Sequence, residues 1–99
     1  MATRSWELRN GKTVLGTLSL IDVDQPWFRC QFSPGAGWEQ VRELFEAQAE
    51  AVESGDQARM LDAIGAVRNL PLQLHPQGDD EAITPVMIQI RAEHANFRY

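Results

Sequence analysis

The period of the hydrophobic pattern changes twice along this chain, and no other feature limits the fold as much. Over residues 1–32 apolar side chains alternate, as they do in strands. Over residues 37–68 they recur every three or four positions, as they do on helices. Over residues 70–99 the alternation returns. The order βββ-αα-βββ predicts an α+β domain of two layers, an antiparallel sheet of about five or six strands with a helical hairpin packed on one face. Short hairpin links and one helical crossover suffice to connect it. At 99 residues the chain supports one core, so a single domain over 1–99 is expected.

The register of the first hairpin follows from which apolar residues must share a face. Asn10-Gly11 marks the turn. A two-residue loop there sets Trp6 and Leu8 beside Leu15, Thr17 and Ser19. A three-residue loop sets them beside Val14, Gly16, Leu18 and Leu20. The second gathers more apolar area, and a one-residue slip would expose it. It is the register expected here, with the Trp6 ring over or next to Gly16. Asp22 to Pro26 reads as a turn. Trp27 to Phe32 reads as a third strand, with Phe28, Cys30 and Phe32 on one face and Trp27, Arg29 and Gln31 on the other.

Ser33 to Gly37 breaks the sheet. A helix is predicted from Trp38 to Val52, its stripe formed by Val41, Leu44, Phe45, Gln48 and Val52. Gly55 suits a left-handed helix end. Ser54 or Asp56 can cap the next helix, and Ser54 with Gln57 fits a capping box. The second stripe is Met60, Leu61, Ile64 and Val67, with Gly65 allowing a close approach to a neighbour. Leu70, Leu72 and Leu74 form a short strand whose Pro71 marks an edge or a start. Residues 76–83, with the acidic run Asp79-Asp80-Glu81, form a loop. Val86, Ile88 and Ile90 alternate with Met87, Gln89 and Arg91. Ala92-Glu93-His94 makes a tight connection to a last strand of Ala95, Phe97 and Tyr99. Leu61 and Val86 belong to the expected core.

Charge separates the two layers. Residues 37–68 carry seven acids and three arginines, a net of −4, within a chain of net −5. An acidic helical layer repels phosphate backbones, so nucleic acid is not an expected partner. The apolar runs are too short to span a membrane. The N-terminus lacks the apolar stretch of a signal peptide, and Cys30 has no second cysteine to pair with. The expected location is the cytoplasm.

Catalytic patterns are missing from the sequence. There is no nucleophile elbow, phosphate loop or zinc-protease helix. Cys30 with His75 or His94 as base is the one nucleophilic arrangement available. Its place between Phe28 and Phe32 predicts a buried, inert thiol instead. Cys30, His75 and His94 match no zinc spacing, and Asp79-Asp80-Glu81 matches no calcium loop. Paired carboxylates such as Glu39/Glu43 and Glu46/Glu50 lie on a convex helix surface, where no cleft would use them. No cofactor, no metal and no catalytic residue is therefore expected.

The sheet face away from the helices is the candidate for function. Parity places Trp27, Arg29, Gln31, Met87, Gln89, Arg91, Asn96 and Arg98 there, with Thr17 and Ser19 joining them. Trp, Met and Arg are enriched at the centres of interfaces. Long arginine stems also simply cover open sheets. The reading favoured is a small non-catalytic binding protein that meets a protein partner, or a second copy of itself, through this face or through an exposed final strand over 95–99. The alternative is a small-molecule binder or minor enzyme with a pocket between Trp27 and Trp38, although Trp38 fits better as a staple at the helix start.

The pattern Trp6-x-Leu8-x3-Lys12-x3-Gly16-x-Leu18, followed by Asp24-x-Pro26-Trp27-Phe28 and the helix holding Phe45, resembles a group of small bacterial proteins typical of GC-rich actinobacterial genomes. The shared residues are turn and core residues. The resemblance implies no activity and carries over no site.

Overall fold

A computed structural model describes residues 4–77 and 81–99. Its strands are β1 (Ser5–Asn10), β2 (Thr13–Asp24), β3 (Trp27–Pro34), β4 (Leu72–Pro76), β5 (Met87–Arg91) and β6 (His94–Arg98). Between β3 and β4 lie a 3₁₀ turn (Trp38–Gln40), α1 (Arg42–Ser54) and α2 (Gln57–Arg68). The strands form one antiparallel sheet in the order β4-β1-β2-β3-β6-β5. Leu72 of β4 and Ile88 of β5 line the same cleft, so the sheet curls until its two edges face each other. No described helix is long and apolar enough to cross a membrane.

The expected parity holds for Gly16, Leu18 and Leu20 by a different route, and fails for Val14, which pairs with Arg9 on the other face. The first turn is the two residues Gly11 and Lys12, closed by Asn10 and Thr13, with Gly11 at φ 61°. A bulge then inserts Leu15, so that Arg9 faces Val14 while Leu8 faces Gly16. The extra residue restores the face that a three-residue loop would have given, and it turns Leu15 into the core as well. Gly16 lies under Phe32 and not under Trp6. A β-carbon there would sit 2.5 Å from the Phe32 ring and 2.6 Å from the Ser33 carbonyl oxygen. A second bulge at Ile21, between the pairs Leu20/Cys30 and Asp22/Arg29, leaves that side chain 61% exposed. β2 runs on through the expected turn to Asp24.

Two aromatic groups fill the inner face. Trp6 meets Phe97 edge-on at 5.0 Å, and Phe28 stacks on Phe97 at 5.1 Å. Trp38 packs against Phe32 at 4.6 Å and Phe45 at 5.1 Å, which makes it the staple between the sheet and α1. The indole N–H of Trp6 is buried with no acceptor among the described residues. Gln48 is the one buried polar side chain among them, and its Nε2 donates to the Ile88 carbonyl at 2.8 Å.

The helices depart from expectation at several points. α1 starts at Arg42, because the chain first makes the 3₁₀ turn that seats Trp38. Val52 is half exposed, its place on the buried stripe taken by Ala51. Gly55 ends α1 at φ 73°. Asp56 caps α2 by accepting from the Arg59 N–H. Ser54 Oγ instead donates to the Ala51 carbonyl and accepts from the Asp56 N–H, so no capping box forms. α2 packs chiefly on α1 and buries only Val67 among its described side chains. Leu61 is 75% exposed because that narrow contact reaches one edge of its stripe, and a β-carbon on Gly65 would meet open space. Val86 is 48% exposed because it precedes β5 at the rim of the cleft. Of the expected acidic loop, Glu81 is exposed, and Asp79 and Asp80 lie outside the described residues.

β6 lies inside the sheet, so strand 95–99 offers no free edge. It stops at Arg98, and Tyr99 stacks on Phe28 at 5.4 Å. The true edges are β4 and β5. β4 exchanges two backbone hydrogen bonds with Ile83, both 2.8 Å, and β5 receives Gln48.

Gly16→Ala is expected to lower unfolding free energy by about 1–3 kcal/mol through overpacking against Phe32. Ala92 sits at φ 53° in the two-residue turn between Arg91 and His94. Ala92→Gly is expected to raise stability by about 1 kcal/mol by relieving a left-handed conformation. Urea titration of both variants against the parent chain measures each effect.

Candidate functional site

The register arranges the outer face in rows of side chains across the strands. Asp24 faces Trp27 on β2 and β3, and Arg98 faces Met87 on β6 and β5, at the same level of the sheet. One step along, Asp22, Arg29, Asn96 and Gln89 form a continuous row. The next row is Ser19, Gln31, His94 and Arg91. Because β6 lies between β3 and β5, all seven residues predicted for the site (Trp27, Arg29, Gln31, Met87, Gln89, Arg91 and Arg98) share one face. Thr17 and Ser19 adjoin it on β2. Arg29, Gln31, Arg91 and Arg98 are exposed, while Trp27, Met87, Gln89 and Asn96 are half-buried.

His94 belongs to this face and was assigned to a turn by sequence. The β5–β6 loop is only Ala92 and Glu93, so His94 already pairs with Arg91 and Gln31. Two shallow hollows meet at this residue. One, of about 290 Å³, is opened by the Ile21 bulge and is lined by Asp22, Arg29, His94 and Asn96. The other, of about 380 Å³, lies between the end of α1 and β5, against Val52, Glu53, Gln89 and Arg91. His94 and Asn96 line both, so the depression runs across β6.

The arginines of this face differ in what holds them. Arg91 is ion-paired with Glu53 of α1, which ties it to the helical layer. Arg29 and Arg98 have no ion-pair partner among the described residues, whose bridges are Arg9–Glu7, Arg42 with Glu39 and Glu46, and Arg91–Glu53. Their charges are therefore open to an incoming anion.

Among the described residues, Trp27 and Trp38 stand apart and do not rim one pocket together. Trp27 begins β3 and Trp38 follows its end, separated by roughly 23 Å of extended chain. Trp38 is 8% exposed, with its ring spent on Phe32 and Phe45. Cys30 and His94 border the same hollow, but their side chains take opposite faces of the sheet. Cys30 points into the core while His94, opposite Gln31, points out. Burial pushes the Cys30 thiol up to about 12 from 9.0. Among the described residues, no three His, Cys, Asp or Glu side chains gather as a metal site would require.

Comparison of the chain with protein-family models, with curated proteins and with solved structures finds no match.

The raised Cys30 pKa has a measurable consequence. The unfolded thiol ionises first, so its contribution to stability is complete below pH 9.0 and is lost as pH rises towards about 12. Urea titrations are expected to show a steeper loss over that window for the parent than for Cys30→Ala. At neutral pH, alkylation by iodoacetamide is expected to be slow in the native chain and rapid once urea unfolds it.

Proposed function

We propose that this chain is a small non-catalytic binding protein, cytoplasmic, that engages an acidic protein partner through the outer face of its sheet. The observation that carries this reading is the pair Arg29 and Arg98, exposed beside Trp27 with no acidic side chain holding either one. Neither helix covers that part of the face, since α1 rests on β5 and α2 rests on α1. Trp27 and Met87, both half-buried, supply apolar area between the charges. A partner that brings carboxylates to Arg29 and Arg98 gains charge-assisted hydrogen bonds without first breaking an ion pair. Arg91 is a weaker contributor, because Glu53 already engages it. The helical layer over residues 37–68 carries a net −4, which favours protein over nucleic acid as the partner.

The double variant Arg29→Glu/Arg98→Glu tests this reading with little risk to the fold, since both side chains are exposed. The parent and the variant, each tagged, would be recovered from a native-host lysate, and the proteins retained by each identified by mass spectrometry. A partner held by the parent is expected to bind the variant about tenfold or more weakly, as two attractions become repulsions. Identical recoveries would sink the outer-face reading. Light scattering of the purified parent separates a second copy from a different protein, because self-association raises the mass with concentration.

A further inference from the structure

The sheet's two edges meet α2 around a cleft of about 320 Å³, which shares Met87 with the outer face but holds neither Arg29 nor Arg98. Its walls are Ile64 and Val67 from α2, Leu72 from β4, and Val86, Met87 and Ile88 leading into β5. The volume lies at the lower end of the range for small-molecule pockets. Gln48 also lines it, 1% exposed and locked in place by its hydrogen bond to the Ile88 carbonyl.

The polar groups of this cleft are few and of one sign. Arg68, in the last turn of α2, is the one charged side chain that lines it among the described residues. Arg68 is exposed and makes no ion pair among the described residues. Thr84 adds a hydroxyl. A cation at a helix C-terminus complements the helix dipole. That role alone leaves unexplained why the apolar wall beside it is left open, with Val86 48% exposed at the rim. An apolar wall favours an alkyl body, at about 0.8 kcal/mol for each buried methylene. A guanidinium with no second cation among the described lining residues favours a singly charged anionic head, because the arginine fork matches a carboxylate.

We propose that this cleft binds a small amphipathic carboxylate, a straight-chain fatty acid of medium length, with its alkyl chain between α2 and β5 and its carboxylate at Arg68 and Thr84. The site shares Met87 with the outer face but uses neither Arg29 nor Arg98, so Arg68→Gln and Arg29→Glu/Arg98→Glu test the two readings separately.

Decanoate and its neutral analogue decanol are the probes. Each would be titrated into the isotope-labelled chain below its aggregation concentration and followed by amide chemical shifts. Saturable one-to-one binding of decanoate is expected, with the shifts centred on Ile64, Leu72 and Ile88. Arg68→Gln is expected to weaken decanoate about fivefold and leave decanol within about twofold. Val86→Trp, which fills the rim from an exposed position, is expected to weaken both. Absence of saturation, or shifts centred elsewhere, overturns the site. Equal affinity for decanoate and decanol, unmoved by Arg68→Gln, overturns the assignment of the head group.

Discussion

One buried hydrogen bond decides where the helical layer sits. Gln48 is almost wholly enclosed, and its Nε2 reaches the Ile88 carbonyl at 2.8 Å. Ile88 belongs to an edge strand. The two-residue hairpin closes at Arg91 and His94, so the alternation of an antiparallel ladder turns the Ile88 backbone outward, away from β6. An exposed carbonyl there would invite another strand. The amide of α1 satisfies it and fixes the helix against β5. Removing the amide would leave a buried acceptor without a donor, a loss of about 1–3 kcal/mol. The helix placed in this way leaves the outer face of β2, β3 and β6 bare, and it closes one wall of the cleft on the inner side.

The two bulges on β2 have complementary effects. The Leu15 bulge brings an extra leucine inward where Gly16 makes room for the Phe32 ring. The Ile21 bulge throws an isoleucine outward and opens the hollow beside Arg29 and His94. A twelve-residue strand without them would keep one parity throughout. With them, the same strand serves the core at one end and the surface at the other. The apolar count on each face is thus set by two insertions and not by alternation alone.

Much of this was legible because a period of two leaves little freedom. Phe28, Cys30 and Phe32 were assigned inward and Trp27, Arg29 and Gln31 outward, and β3 keeps that division, with Phe28 half-buried. The alternation of β5 was equally plain. The bulges were not legible, since they depend on where the rings of Phe32 and Trp38 press from other elements. Leu61 misled for a related reason. Periodicity marks it as apolar-facing, but whether that face is covered depends on how far α2 reaches, and α2 packs chiefly on α1. His94 was lost to a one-residue difference in loop length. Ala92, a residue without obvious left-handed preference, occupies the turn position that a glycine or asparagine would have announced.

α2 packs chiefly on α1 and buries one valine among its described side chains. Its local stability is therefore set by a far smaller apolar contact than that of any central strand. Thin packing of this kind favours local opening ahead of the central strands, with the sheet and α1 still assembled. Because α2 also forms a wall of the cleft, such excursions would widen the cavity without breaking the core. The thin packing of this helix thus gives a rigid sheet one hinged side.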